Sequence, residues 1–370
     1  MERKGLGHPD TICNSIVDEI SNEYSKYCIE HFGKVLHHNF DKALLAAGRT
    51  NPKFGGGEIV DPITLVLGDR ATGEYNDEVI PVYDIAVDTY ARWMEINIQN
   101  IQPQQLDWDM THLHEGSGAL QDIFVRDGRY MPANDTSAGV GFAPLTKTET
   151  MVIELEQLLN SPVIKSESPF VGEDIKLMAI RNKKELDLTI SIAMVDKYID
   201  DEDDYFKKKN AIRNTVTEII AEEYEMKAKV SINALDKSGR GLDGLYLTVS
   251  GTSLEAGDSG QVGRGNNPYG IIPMMRPLSM EAAAGKNPVS HIGRIYNHLC
   301  FRIANEIHIT TGDPEVYVWM VSRIGTPINE PSIVNVHTAR KVSEKNINTI
   351  VENELENIDE FCKELIFGNE

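Results

Sequence analysis

Gly257 to Asn266 reads GDSGQVGRGN: four glycines, one carboxylate (Asp258) and one guanidinium (Arg264) within ten residues. Glycine lets a main chain turn its N–H groups toward a bound anion, so this stretch describes a backbone that passes close to something polyanionic. A second segment follows shortly, Ala283 to Pro288 (AAGKNP). Arg264 supplies fixed positive charge and Lys286 mobile positive charge. The stretch is not a Walker loop, which needs GxxxxGK[ST], and GQVGRG has the wrong spacing for the dinucleotide fingerprint GxGxxG. Alone it could equally be a structural turn.

Other clusters accompany it. Near the N-terminus stands RKGLGHPD, Arg3 to Asp10. Pro9 suits the first turn of a helix, and Ile12, Ile16 and Ile20 recur at four-residue spacing, so the pattern predicts a helix over 9–31. His8 and Asp10 then sit at its positive end, where anions and a metal-binding carboxylate are both at home. A helix cap with a surface histidine is the plainer reading of the same residues. Further clusters are HHNFDK at 37–42, FGGGE at 54–58, ANDTS at 133–137 with Gly139 and Gly141, and GEDIK at 172–176.

The chain resembles the S-adenosylmethionine synthetase (methionine adenosyltransferase) family, archaeal type. The segments that carry the resemblance are ERKGLGHPDTIC, LHHNFDKALLAAG, PKFGGGEIVDPI, GDRAT, ANDTSAGVGFAPL, VGEDIKLMAIR, YLTVSGTSLEAGDSGQVGRGN, RPLSMEAAAGKNPVSHIGRIYN and SRIGTPINEP. They run in order from Glu2 to Pro331, nearly the whole chain. The resemblance implies an α+β fold of three similar units, helices on mixed or antiparallel sheets, about a pseudo-threefold axis. Residues 1–370 would form one such module, its units interleaved with discontinuous boundaries. It also implies a homodimer with active sites at the subunit interface.

Composition narrows the setting. A net charge of −21 argues against general affinity for nucleic acid or an anionic membrane. Cys13, Cys28, Cys300 and Cys362 show no metal spacing, and a chain with 41% hydrophobic residues has no need of disulfides. A reduced, cytoplasmic setting follows, with no signal peptide and no apolar run of transmembrane length. Periodicity predicts further helices at 84–99, 147–160, 202–225 and 289–308. Strands are expected at 34–39, 59–68, 120–125, 174–181, 187–196, 227–233, 245–250 and 315–321. Helices between strand pairs suit helix layers on mixed sheets better than a doubly wound parallel sheet. The acidic run at 200–204 reads as a helix N-terminus.

The implied reaction joins L-methionine to ATP. The thioether sulfur attacks C5′ of the ribose and expels triphosphate, which is hydrolysed to pyrophosphate and phosphate. A thioether needs no general base, so positive charge for the leaving group is what catalysis demands. Carried over by motif, the resemblance places His8 at the bridging oxygen and Lys176, Arg264 and Lys286 on the triphosphate. Asp10 would hold magnesium, with potassium as a helper ion. Asp135 and Glu58 would meet the methionine amino group, Asp174 the methionine or ribose, and Asp258 the methionine or metal. His37 and His38 would be structural neighbours of the site, and His291 and Arg294 phosphate contacts. The family has further residues before ERKG, aspartate where this chain has Asn14, an acidic residue at Ala119 and an apolar one at Gln121. These departures leave room for weakened metal binding or a destabilised first unit. They also keep a second reading open, a non-catalytic nucleotide-binding homologue acting as a regulatory or assembly subunit. A third is an unrelated polyphosphate hydrolase.

Overall fold

The apolar stripe of the first helix buries Ile12, Ile16, Val17, Ile20 and Tyr24 completely, and the helix, α1, runs Pro9–Phe32. His8 caps its start through a hydrogen bond from the Asp10 amide, and Gly33 ends it in the left-handed region at φ 72°. The computed structural model describes residues 1–125 and 128–368.

Among these residues, three principal sheets each pack against helices over a buried apolar cluster of their own. The first contains Gly260–Gln261, Ala43–Ala46, Ile63–Ala71 and His38–Asn39, with Leu106–His114 parallel to Ile63–Ala71. It shares its core with α1 and the helix Val82–Asn97. The second contains Glu2–Lys4, Val171–Asn182, Glu185–Val195 and Lys227–Ile232, with Leu247–Thr248 also on Glu185–Val195. The helices Lys147–Leu159 and Glu202–Glu223 supply the other half of that core. The third is the antiparallel set Ala138–Ala143, Val316–Val321 and Ile333–Thr338, backed by the helix Ile292–Thr311. The chain crosses between them. Glu2–Lys4 joins the second sheet before α1 builds the first, and Gly260–Gln261 returns to the first soon after the second is complete.

Most expected elements are present with shifted ends. The acidic run opens a helix as read, with Asp201 capping the amide of Asp204 at 2.8 Å. Residues 118–125 form a helix (Gly118–Val125), not the expected strand at 120–125. Its apolar side chains Leu120, Ile123 and Phe124 follow helical spacing, which the β-branched and aromatic content of the stretch obscured. The expected strand at 34–39 shrinks to His38–Asn39 and that at 245–250 to Leu247–Thr248. Leu106–His114, Ala138–Ala143, Ile333–Thr338 and the helices Glu344–Glu356 and Ile358–Phe367 went unread. No helix among the described residues is long and apolar enough to cross a membrane.

Gly139 and Gly141 belong to packing, not to the polar cluster beside them. They are two apart on a strand, and they meet Tyr296 and Cys300, four apart on the helix behind. A Cβ on Gly141 would stand 2.2 Å from the Cys300 carbonyl carbon, and one on Gly139 2.3 Å from that of Tyr296. Only glycine admits so close an approach of helix and strand backbones. Gly141→Ala is therefore expected to lower unfolding free energy by about 2–3 kcal/mol in denaturant titration. Gly118→Ala, where an added Cβ meets nothing within 4 Å, should change it by less than about 0.5 kcal/mol. Equal effects at the two positions would refute the packing account.

Candidate active site

Two constraints bring the N-terminal motif against the second sheet. Glu2–Lys4 pairs antiparallel with Val171–Asn182, setting Lys4 opposite Lys176. The Gly7 amide then donates to the Glu173 carbonyl at 2.9 Å. A Cβ at Gly7 would lie 2.3 Å from the Glu173 carbonyl carbon, so no larger residue lets the chain run this close. His8 follows at once at the start of α1, close enough to Lys176 to feel its charge.

The His8 imidazole is buried, and its Nδ1 accepts from the Asp10 amide at 3.2 Å. Burial, assisted by Lys4 and Lys176, pulls its pKa down to about 4 against the opposing pull of Asp10 and Asp258. The ring is neutral at pH 7, and with Nδ1 accepting, its proton sits on Nε2. His8 thus offers a neutral N–H donor instead of a standing charge. Asp10 is fully engaged: Oδ2 accepts from Lys4 Nζ at 2.8 Å and Oδ1 from the Gln261 amide at 2.9 Å. Lys4 Nζ also donates to the Arg264 carbonyl at 2.6 Å, tying the end of α1 to the glycine-rich loop. Lys4 was missed in the sequence although it lies inside RKGLGHPD. A lysine there reads as a solvated side chain, and only Asp10 and the distant Arg264 carbonyl give its ammonium a buried place.

Asp174 does not face solvent beside Lys176. It is 4% exposed and accepts from the Ser253 amide at 3.0 Å and hydroxyl at 2.6 Å, with Tyr246 at 3.4 Å. Burial pushes its carboxyl up to about 6 in spite of those donors. A register shift between Val171 and Ile175 separates it from the regular pleat. The Ser253 hydroxyl also approaches Asp258, an exposed residue, at 3.3 Å. Lys176 is half-exposed and pairs with Glu2 at 3.0 Å. His8, Asp10, Asp174, Lys176 and Asp258 therefore form one group.

Lys286 and Asp135 belong to another. Lys286 is 2% exposed, with its ammonium 2.8 Å from both Asp41 and Glu281. Burial alone would lower its pKa, but the two carboxylates outweigh that and raise it. Asp41 in turn adjoins Asp69. Burial and the Asp41 carboxylate push Asp69 up to about 7, while Asp69 and the neighbouring lysines hold the Asp41 carboxyl well below its ordinary value. Asp41 went unassigned in the sequence because the carboxylate gains its partner from a segment far along the chain. His291 caps its helix as His8 caps α1, its Nδ1 accepting from the Gly293 amide at 3.1 Å, and its Nε2 lies 3.6 Å from Asp135. Arg294 is buried and donates to the Lys286 carbonyl at 2.9 Å. His38 is buried against Ser21 at 2.8 Å. The ring nitrogens of buried His37 have no hydrogen-bond partner among the described residues.

The two groups lie at different points along α1. The Lys286 carbonyl accepts from Ser21, between three and four turns from His8, about 20 Å along the axis at 1.5 Å per residue. Arg264 is exposed and its guanidinium has no hydrogen-bond or ion-pair partner among the described residues. It helps line a cavity of 440 Å³ with Thr11, Asn14, Asp18, Asn266 and Glu281. Glu58 stands apart on the exposed hairpin Arg49–Asp61, where its neighbour is Lys53 at 3.9 Å.

The chemistry available is anion recognition. All four cysteines are buried and free, and burial raises the Cys13 thiol to about 12 and Cys28 to about 11, so neither is a thiolate at neutral pH. At the start of α1 the neutral His8 donor stands near Lys4 and Lys176, and Lys4 ties this end to the backbone of the Arg264 loop. Among the described residues no three His, Cys, Asp or Glu side chains gather as a ready metal cage. Magnesium commonly takes one or two carboxylates and completes its shell with phosphate and water. Of the candidate carboxylates, Asp258 is exposed, whereas both oxygens of Asp10 already accept hydrogen bonds.

A family described as S-adenosylmethionine synthetase (AdoMet synthetase) matches residues 1–369. A protein of Aquifex aeolicus named "Probable S-adenosylmethionine synthase" is 45% identical, covering 99% of this chain and 93% of its own length. An "S-adenosylmethionine synthase" of Hyperthermus butylicus is 42% identical over 100% of this chain and 93% of its own. In fold, the chain is similar to a solved structure of an unusual S-adenosylmethionine synthetase from Campylobacter jejuni, with a TM-score of 0.64. That match has 16% identity and covers 100% of this chain and 89% of the other.

His8 offers a direct check of the site's electrostatics. Nitrogen NMR of the ring should show Nε2 protonated at pH 7 and a midpoint near 4. The unfolded ring takes up its proton near 6.5 and the folded ring only near 4. Unfolding therefore binds a proton between those values, and His8 makes stability fall as pH drops through that window. His8→Gln should flatten that part of the stability–pH curve. A midpoint at or above 6.5 would contradict the buried neutral donor.

Proposed function

The chain belongs to the S-adenosylmethionine synthetase family, and from that premise we propose that it is a methionine adenosyltransferase using ATP and L-methionine. The methionine sulfur attacks C5′, the C5′–O bond breaks, and its electron pair leaves with the triphosphate. Water then cleaves the triphosphate to pyrophosphate and phosphate. The observation that carries this reading is the meeting of a neutral His8 donor with Lys176 and the Arg264 loop at the end of α1. That assembly suits negative charge growing on a leaving oxygen, and it contains no thiolate nucleophile.

Within this reading His8 Nε2–H faces the bridging oxygen. Lys176, Arg264 and Lys286 hold the phosphates, and Asp174, Asp258, Asp135 and Glu58 orient methionine and ribose. Magnesium, met by Asp10 and Asp258, would neutralise part of the polyphosphate charge. Potassium enters only as the helper ion that the family implies. The isolation of Glu58 on an exposed hairpin supports a homodimer in which a second copy completes each site. The three sheets with their separate cores support a module of three interleaved units about a pseudo-threefold axis. Four free cysteines suit a cytoplasmic setting.

Purified protein given ATP, methionine, magnesium and potassium should form S-adenosylmethionine and pyrophosphate in equal amounts, with phosphate release dependent on methionine. Arg264→Ala should slow this by a factor of hundreds, on the order of 3 kcal/mol. Arg264 is exposed, so its removal reports on the reaction without disturbing the core. Phosphate release independent of methionine would point to a hydrolase. Nucleotide binding without a sulfonium product would favour the regulatory homologue.

Asp10→Asn should raise the magnesium concentration needed for half-maximal activity several-fold, since it removes the charge of a hard oxygen ligand. Superimposable magnesium titrations would leave Asp10 as a partner of Lys4 alone.

A further inference from the structure

Asp10, Asn14 and Asp18 stand four residues apart on one face of α1, and each accepts one backbone N–H from a glycine-rich segment. The Gln261 amide donates to Asp10 Oδ1, the Gly263 amide to Asn14 Oδ1 and the Gly285 amide to Asp18 Oδ1, each at 2.9 Å. Gln261 and Gly263 come from one loop and Gly285 from a separate segment, so three acceptors about one helical turn apart hold two distant stretches to the same face of α1. Asn14 keeps the acceptor oxygen without a charge, which is why its departure from aspartate leaves the contact intact.

The residue after each of the last two clipped amides is a cation. Arg264 follows Gly263 and Lys286 follows Gly285. Asp18 also lies 3.6 Å from Arg294, which itself donates to the Lys286 carbonyl. Neither Asn14 nor Asp18 belongs to the catalytic set above, and no ion pair joins them to Arg264 or Lys286 among the described residues.

We propose that Asn14 and Asp18 are positioning residues that use α1 as a ruler: through the Gly263 and Gly285 amides they fix where Arg264 and Lys286 stand, and so the span over which polyphosphate is gripped. The inference rests on the function proposed above. It adds a cause for the placement of the cations, which otherwise lie on loops without regular structure.

Calorimetric titration with inorganic tripolyphosphate at fixed magnesium tests it without turnover. Asn14→Ala and Asp18→Ala should each weaken binding about five- to tenfold, the loss of one hydrogen bond. Asn14→Asp and Asp18→Asn, which keep the oxygen, should stay within about threefold of the unmodified protein. Double variants decide the route of action. In an Arg264→Ala background Asn14→Ala should add nothing, and in a Lys286→Gln background Asp18→Ala should add nothing. The crossed pair, Asn14→Ala with Lys286→Gln, should be additive. Additivity in the matched pairs too would overturn the positioning role and leave the proposed function standing. Failure of the unmodified protein to bind tripolyphosphate would overturn the function and this inference with it. If Asp18→Ala does not fold, the arm at half-exposed Asn14 decides alone.

Discussion

A loop that offers its amides to a ligand cannot also spend them all on a sheet, so it must be fastened from behind. In this chain α1 is the fastening. Its apolar side is sealed in the first core, with Ile12, Ile16 and Ile20 fully buried. Its polar side meets the glycine-rich loop through Asp10 and Asn14 and the Ala283–Pro288 segment through Asp18 and Ser21. Burial of one face gives the helix a fixed position, and the hydrogen bonds of the other pass that position to segments more than 200 residues away. The start of the helix is fixed as firmly, because Glu2–Lys4 is a strand of the second sheet.

The charges of the site follow from where that helix lies. A chain with net charge −21 gathers Lys4 and Lys176 near one helix end beside the Arg264 loop, and it balances its buried and half-buried lysines locally. Lys4 is held by Asp10, Lys176 by Glu2, and Lys286 by Asp41 and Glu281. The buried pairs among these, Lys4–Asp10 and Lys286–Asp41, return little net stability, since desolvation offsets most of the attraction, but they tolerate no loss of one partner. Lys286 is the extreme case. It is deeply buried and raised in pKa by its carboxylates, one of which, Asp41, adjoins Asp69, whose carboxyl is pushed up to about 7. His8 follows the opposite logic: burial removes its charge and leaves it as a directed neutral donor, able to respond when anionic charge arrives.

The sequence by itself determined the elements whose information is local. A four-residue apolar repeat after His8-Pro9 predicts α1, a run of acidic residues marks the start of Glu202–Glu223, and ordered motifs from Glu2 to Pro331 establish the family. Where two local signals competed, the pattern misled: residues 118–125 carry strand-like side chains at helical spacing and fold as a helix. Tertiary structure alone decided what long-range pairing creates. Lys4 looks like a surface lysine until its ammonium meets Asp10 and the distant Arg264 carbonyl. Asp41 has no role until Lys286 arrives from far down the chain, and Gly139 and Gly141 look like loop residues until the Ile292–Thr311 helix lies across them. Tertiary structure also decided that His8 and Lys286 stand well apart along α1 in one chain. Periodicity and capping act over a few residues and leave a trace in composition, whereas the partner of a buried charge is chosen by where distant segments pack, which no local pattern records.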